Sequence, residues 1–165
     1  MANNWTVPEL IVANRKSLDS IFIGGETPTI AEMVGVVDGS VGSLIYVPDF
    51  RLLKKFINWG WVPWRGKIFY EVSPTESKGI NRFRVGPFKF LRYRCETTIQ
   101  PPLVGPNDVY CLNYDLAGNP GIIRRVRDDI KRVGDGVYLG TANMHIRGKQ
   151  RFVAYFILKS TGRTA

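Results

Sequence analysis

The stretch GVYLGTANMHIRGKQRFVAYFILK, residues 136–159, reads as two β-strands folded about one tight turn. Gly148 suits the first central position of a two-residue type II′ loop spanning 147–150. In that register Arg147 faces Gln150 and every cross-strand pair sums to 297. One face then carries Leu139, Thr141, Asn143 and His145 opposite Leu158, Phe156, Ala154 and Phe152. It holds no Lys, Arg, Asp or Glu, and three neutral polar groups interrupt an apolar surface. That is the composition of a wall facing an apolar pocket.

The same two-faced alternation recurs upstream, in residues 67–72, 80–85, 88–99 and 108–116. In the first segment Ile68, Tyr70 and Val72 oppose Lys67 and Glu71, which places Glu71 on a solvated face. In the second, Asn81, Phe83 and Val85 oppose Arg82 and Arg84. A symmetric hairpin centred near Pro102 and Leu103 pairs residues summing to 206 and sets Cys95 opposite Cys111. Leu91, Tyr93, Cys95, Thr97, Val109, Cys111, Asn113 and Asp115 then share one face. A charged face backed by an apolar face dotted with Tyr, Asn and Thr, strand after strand, predicts an antiparallel β-barrel around a ligand cavity.

Two or three short helices complete the expected architecture. Residues 7–22 have helical apolar spacing with Pro8 in the first turn. Residues 49–60 start at a capping Asp49, carry a stripe of Leu52, Leu53, Phe56 and Ile57, and end at Gly60. Residues 121–133 follow an AGNP turn and show an amphipathic stripe of Ile122, Ile123, Val126, Ile130 and Val133. Residues 42–47 (GSLIYV) are strand-like, and the ends, 1–6 and 160–165, read as frayed, the latter a flexible tail.

At 165 residues the chain fits one barrel domain spanning 1–165, large enough to bury roughly 70% of its unfolded surface. The opening MANNWTVPEL lacks the basic and apolar regions of a signal peptide, and no long apolar run suggests a membrane span. A cytoplasmic location is the expectation. Lys and Arg outnumber Asp and Glu by 23 to 14, a net charge of +9 that implies weak polyanion affinity. The basic residues are scattered, without an RNP motif, finger spacing or basic helix. Two cysteines supply neither a disulfide framework nor a zinc site, and in a reducing compartment they read as buried thiols on one wall.

Three short motifs carry a family resemblance. They are Gly35-x-x-x-Gly39 within MVGVVDG, residues 33–39; WRGKIF, residues 64–69; and Asn113-Tyr114-Asp115, followed by Arg- and Asp-rich chain and then Leu139-Gly140. In this order they resemble a small bacterial domain family named for its GxWxG motif, whose central tryptophan position is held here by Val37. The resemblance implies a calycin-like barrel, akin to lipocalins and fatty-acid-binding proteins, with an apolar ligand. It implies no reaction.

The residues offer few catalytic groups. His145 is the only histidine and titrates near neutrality when unperturbed, so it is a candidate acid or base. Asp115 ends an inward-facing row, where burial would raise its pKa and suit proton transfer. Either residue also fits a structural role, as a hydrogen-bonded strand-end histidine or a turn cap. Tyr70, Phe83, Tyr93, Asn113, Asn143, Phe152 and Phe156 are the candidate ligand-binding residues. Trp59, Trp61 and Trp64 suit a cover for the barrel mouth. GxxxxGK[ST], GxGxxG and GxSxG are all absent, so no nucleotide cofactor, metal or Ser-His-Asp chemistry is indicated. Three functions remain open: binding of a small hydrophobic molecule, a cofactor-independent cyclase or isomerase in the same cavity, and a basic barrel that binds nucleic acid or an anionic membrane.

Overall fold

Strand pairing organises the chain. The computed structural model describes residues 4–41 and 64–164. Among them are eight strands: β1 (Gly35–Val41), β2 (Trp64–Ser73), β3 (Glu76–Val85), β4 (Phe88–Gln100), β5 (Val109–Asn113), β6 (Val126–Gly134), β7 (Val137–Ile146) and β8 (Lys149–Arg163). Each pairs antiparallel with its neighbours in sequence, and β8 returns to pair with β1, so the ring closes and no sheet edge is left open.

Three short helices precede the barrel. In α1 (Val7–Val12) the Glu9 carboxylate accepts from the Thr6 backbone N–H at 2.8 Å, a capping box that starts the helix. Asn14 caps α2 (Arg15–Ile23) by accepting from Ser17 N, and this new start divides the expected helix over 7–22 in two. Leu10, Leu18, Ile21 and Phe22 pack on the outer surface of the barrel, against Val109, Val133, Val137, Leu139, Tyr155 and Ile157. In α3 (Ile30–Met33), Ile30 and Met33 join the residues of the barrel lumen and close one end.

The lumen is lined from every strand. Val37, Phe69, Cys95, Tyr110, Leu112, Ile130, Tyr138, Phe156 and Leu158 form one buried cluster. Glycines make room for its rings. A Cβ on Gly140 would sit 2.2 Å from the Phe156 ring, and one on Gly79 would sit 2.8 Å from Phe69. Burial falls along the barrel. Phe69, Tyr110, Leu112 and Leu158 are fully buried toward α3, whereas Trp64, Tyr93, Ile123, Val126 and Ala142 are half-buried toward the opposite end.

Several expectations fail in instructive ways. Residues 121–133 are not a helix: a single 3-10 turn at Ile123–Arg125 leads directly into β6. Both faces of β6 are covered, so its polar residues are buried with partners instead of marking a solvated helix face. Arg127 pairs with Asp129 at 2.8 Å, Asp129 accepts from Leu103 N, and Lys131 donates to the Asn107 and Asp108 carbonyls. These bonds hold the connection between β4 and β5 against the barrel. The ends are also tied down. Trp5 N donates to Val133 O, and β8 runs on to Arg163, with Thr161 Oγ1 donating to Val36 O. The expected strand at 42–47, the helix at 49–60, Trp59 and Trp61 lie outside the described residues.

Candidate functional site

Lys67 is the only lysine or arginine placed in the lumen among the described residues, and it is 3% exposed. It lies on β2 two residues before Phe69, and strand parity sends both side chains inward. Its Nζ donates to Asn81 Oδ1 at 2.8 Å, to the Tyr114 hydroxyl at 2.5 Å and to Asp128 Oδ2 at 3.3 Å. Those are the three donors an ammonium has. Around them the rings of Tyr114, Phe156 and Trp64 lie 5.2, 5.4 and 5.5 Å from the nitrogen. At such distances a ring face attracts a cation, most strongly where water is excluded.

The shell is built from four strand positions, Trp64, Asn81, Tyr93 and Asp128, with Tyr114 just past β5 and Asn119 in the turn that follows. Trp64 Nε1 donates to Asn81 Oδ1 at 3.0 Å, and the Tyr114 hydroxyl donates to Asp128 Oδ2 at 3.0 Å. Asn81 Nδ2 donates to the Tyr93 carbonyl, and Asn119 holds the Tyr114 backbone by donating to its carbonyl at 2.8 Å. Tyr93 sits at a bulge in the β3–β4 ladder with a φ of 60°, a left-handed conformation rare for tyrosine. Strain of this kind costs about 1–3 kcal/mol and is often found at functional sites.

Burial sets the protonation chemistry. Desolvation pushes the Asp128 carboxyl above its ordinary range, and the Lys67 charge opposes that shift. Desolvation, reinforced by Asp128, raises the Tyr114 phenol well above its usual value, so it remains a donor. Cys95, beside this centre, is pushed up to about 12 by burial and stays a thiol. The arrangement presents a charge-balanced cluster of donors and acceptors inside an aromatic box.

The residues expected to line the cavity divide between the two sides of the wall. Phe83, Tyr93 and Phe156 belong to the lumen. Tyr70 is 43% exposed on the outer surface. Asn143 bonds Thr141 and Phe152 packs on Tyr155, both beneath the helices or beside them on the outer face. Asn113, Asp115 and His145 do come together, but in an open groove of about 650 Å³ on the outside of the barrel. Asp115 there is exposed and paired with Arg124 at 2.7 Å, so the burial expected of it is absent. His145 is likewise exposed. Cys95 and Cys111 are both buried and free, as expected, yet they occupy opposite faces.

Strand parity puts Lys67 and Tyr114 on the charged faces, and the helical spacing expected over 121–133 puts Asp128 on a polar helix face, which hides all three from sequence reasoning. One signal was available: Tyr110-x-Leu112-x-Tyr114 and Val126-x-Asp128-x-Ile130 each alternate as a lumen row does.

No family model matches the chain, and no curated protein matches it. A crystal structure of a protein from Thermomonospora curvata is similar in fold, with a TM-score of 0.58 and 14% sequence identity. The match covers 89% of this chain and 87% of that one. At this identity the likeness concerns the fold alone.

Proposed function

We propose that the barrel binds a small hydrophobic molecule carrying one neutral oxygen group, with the apolar body among Phe83, Tyr93, Ala142 and Phe156 and the oxygen at the Lys67 centre. The observation that supports this most is the centre itself, an ion pair enclosed by rings in a lumen whose second polar cluster, Ser77, Thr97 and the Tyr110 hydroxyl, carries no charge. A buried ion pair adds little net stability, so packing alone gives weak reason for one here. Because Asp128 already balances Lys67, an anionic head would bring an unmatched charge, whereas a carbonyl or hydroxyl exchanges hydrogen bonds without one. The calycin-like kinship suggested by the GxWxG-type motifs forms part of this proposal, with Trp64 in contact with the lumen cation.

A second reading rests on the Tyr114 hydroxyl, which touches both Lys67 and Asp128. That geometry suits proton transfer to a bound carbonyl compound, as a cofactor-independent isomerase requires.

Uptake of the neutral dye Nile red tests the binding proposal. Fluorescence should rise with the protein and fall when a long-chain alcohol displaces the dye. The alcohol should compete about 5–10-fold better than the alkane of equal length, the worth of one buried hydrogen bond. Ala142→Phe, which fills the half-buried end of the lumen, should abolish uptake. Unchanged uptake in that variant, or equal competition by alkane and alcohol, refutes the proposal. The isomerase reading additionally needs solvent deuterium to enter a bound ketone α to its carbonyl, with loss of that exchange in Tyr114→Phe.

A further inference from the structure

The β3–β4 hairpin presents apolar side chains and cations together at one place on the surface. Its turn, residues 85–88, carries Val85 and Phe88, which are 50% and 72% exposed, and Leu91, half exposed, pairs with Arg82 three rungs below. Below the tip, Phe83 stacks on Phe90 with ring centroids 5.5 Å apart and planes 11° apart. On the outer side, Arg65, Arg82, Arg84, Lys89 and Arg163 line a groove whose one carboxylate among the described residues is Asp38. Among the described residues, five cations against one acid leave an excess of four positive charges. Asp38 is shared by Arg82 at 2.9 Å and Arg163 at 3.4 Å, and Arg84 donates to the Gly86 carbonyl. Among the described residues, Arg65 and Lys89 form no ion pair.

We propose that this hairpin and its basic groove dock the barrel on an anionic phospholipid bilayer, with Phe88 and Val85 entering the interface and the five cations contacting headgroups. Stable attachment to a membrane surface takes an apolar and an electrostatic element together, and the patch supplies both. A nucleic acid would use open aromatic faces for stacking. Here Phe83 and Phe90 stack on each other, and the exposed groups at the tip include the aliphatic Val85. The proposal stands independently of what the lumen holds.

Co-sedimentation with vesicles tests it, using phosphatidylcholine alone or with about one third phosphatidylglycerol. The protein should pellet with the anionic vesicles only, and less so as salt rises. Each cation near such a surface contributes roughly a 5-fold factor, so Arg84→Glu/Lys89→Glu should weaken partitioning at least about 20-fold. Phe88→Ser, at a highly exposed site, should weaken it several-fold with no change in thermal midpoint. Binding to neither vesicle, or equally to both, overturns the proposal. So does loss in the charge-reversed variant with none in Phe88→Ser and full competition by a single-stranded oligonucleotide, which would make the patch a polyanion surface.

Discussion

Asn81, Tyr114 and Asp128 take up all three donors of an ammonium group that has almost no contact with water. The dependence is mutual. If Lys67 is replaced by Met, Asp128 remains in an apolar lumen with only the Tyr114 hydroxyl to satisfy it, and an orphaned buried charge of this kind costs about 3–5 kcal/mol. Removing both charges takes away the debt along with the attraction. We therefore expect Lys67→Met to be strongly destabilised in urea unfolding, and Lys67→Met/Asp128→Leu to recover most or all of that loss. The double variant should nevertheless lose its preference for alcohol over alkane. A double variant as unstable as the sum of its single changes would mean that the ion pair is needed by the fold itself.

At the scale of elements, the β7–β8 hairpin shows how far the sequence can be read. The turn is centred on Arg147 and Gly148, with φ values of 50° and 78°, so it is of type I′, one residue earlier than the type II′ loop expected over 147–150. Asn tolerates that first position far better than Arg, and Arg147→Asn should raise stability by about 1 kcal/mol in thermal or urea unfolding. No gain would show that the Arg147 conformation is relaxed by its surroundings. Near the tip, Asn143 pairs with Phe152 in place of the expected Ala154, and a bulge between Ala142 and Asn143 then shifts the ladder by one residue. Beyond it, Thr141 meets Tyr155 on the outer face, whereas Gly140 meets Phe156 in the lumen. The expected uncharged wall therefore combined two different surfaces. The β4–β5 register differs for another reason: Glu96 pairs with Asn113, a sum of 209 in place of 206, because the loop at 101–108 is held off centre by Asp129 and Lys131. An odd shift in the sum turns every side chain of β5 over. Side-chain alternation was enough to reveal the strands of a barrel. It left open which face of β2, β5 and β7 looked inward, since long-range partners decide that, Asp128 for Lys67 above all.

Across the whole molecule, burial of acidic hydrogens ties stability to pH. Desolvation raises Cys95, Cys111, Tyr110 and Tyr138 to about 12 each, from ordinary values of 9.0 for the thiols and 10.0 for the phenols. Cys95 and Tyr110 lie in the lumen, and Cys111 lies beneath the outer helices, so one alkaline window acts on both sides of the barrel wall. Between the unfolded and folded values, the unfolded chain has already released these protons while the folded chain still holds them. The folded state thus binds more protons, and stability must fall as pH rises. Unfolding in urea should show a nearly level free energy up to about pH 8.5, then a steepening loss toward pH 11. Cys111→Ser should shallow that slope, and neither thiol should react with a disulfide reagent at neutral pH until the barrel opens. A level profile to pH 11, or rapid labelling of the native protein, would show that water reaches these groups and that the wall is less tightly closed than the β1–β8 pairing implies.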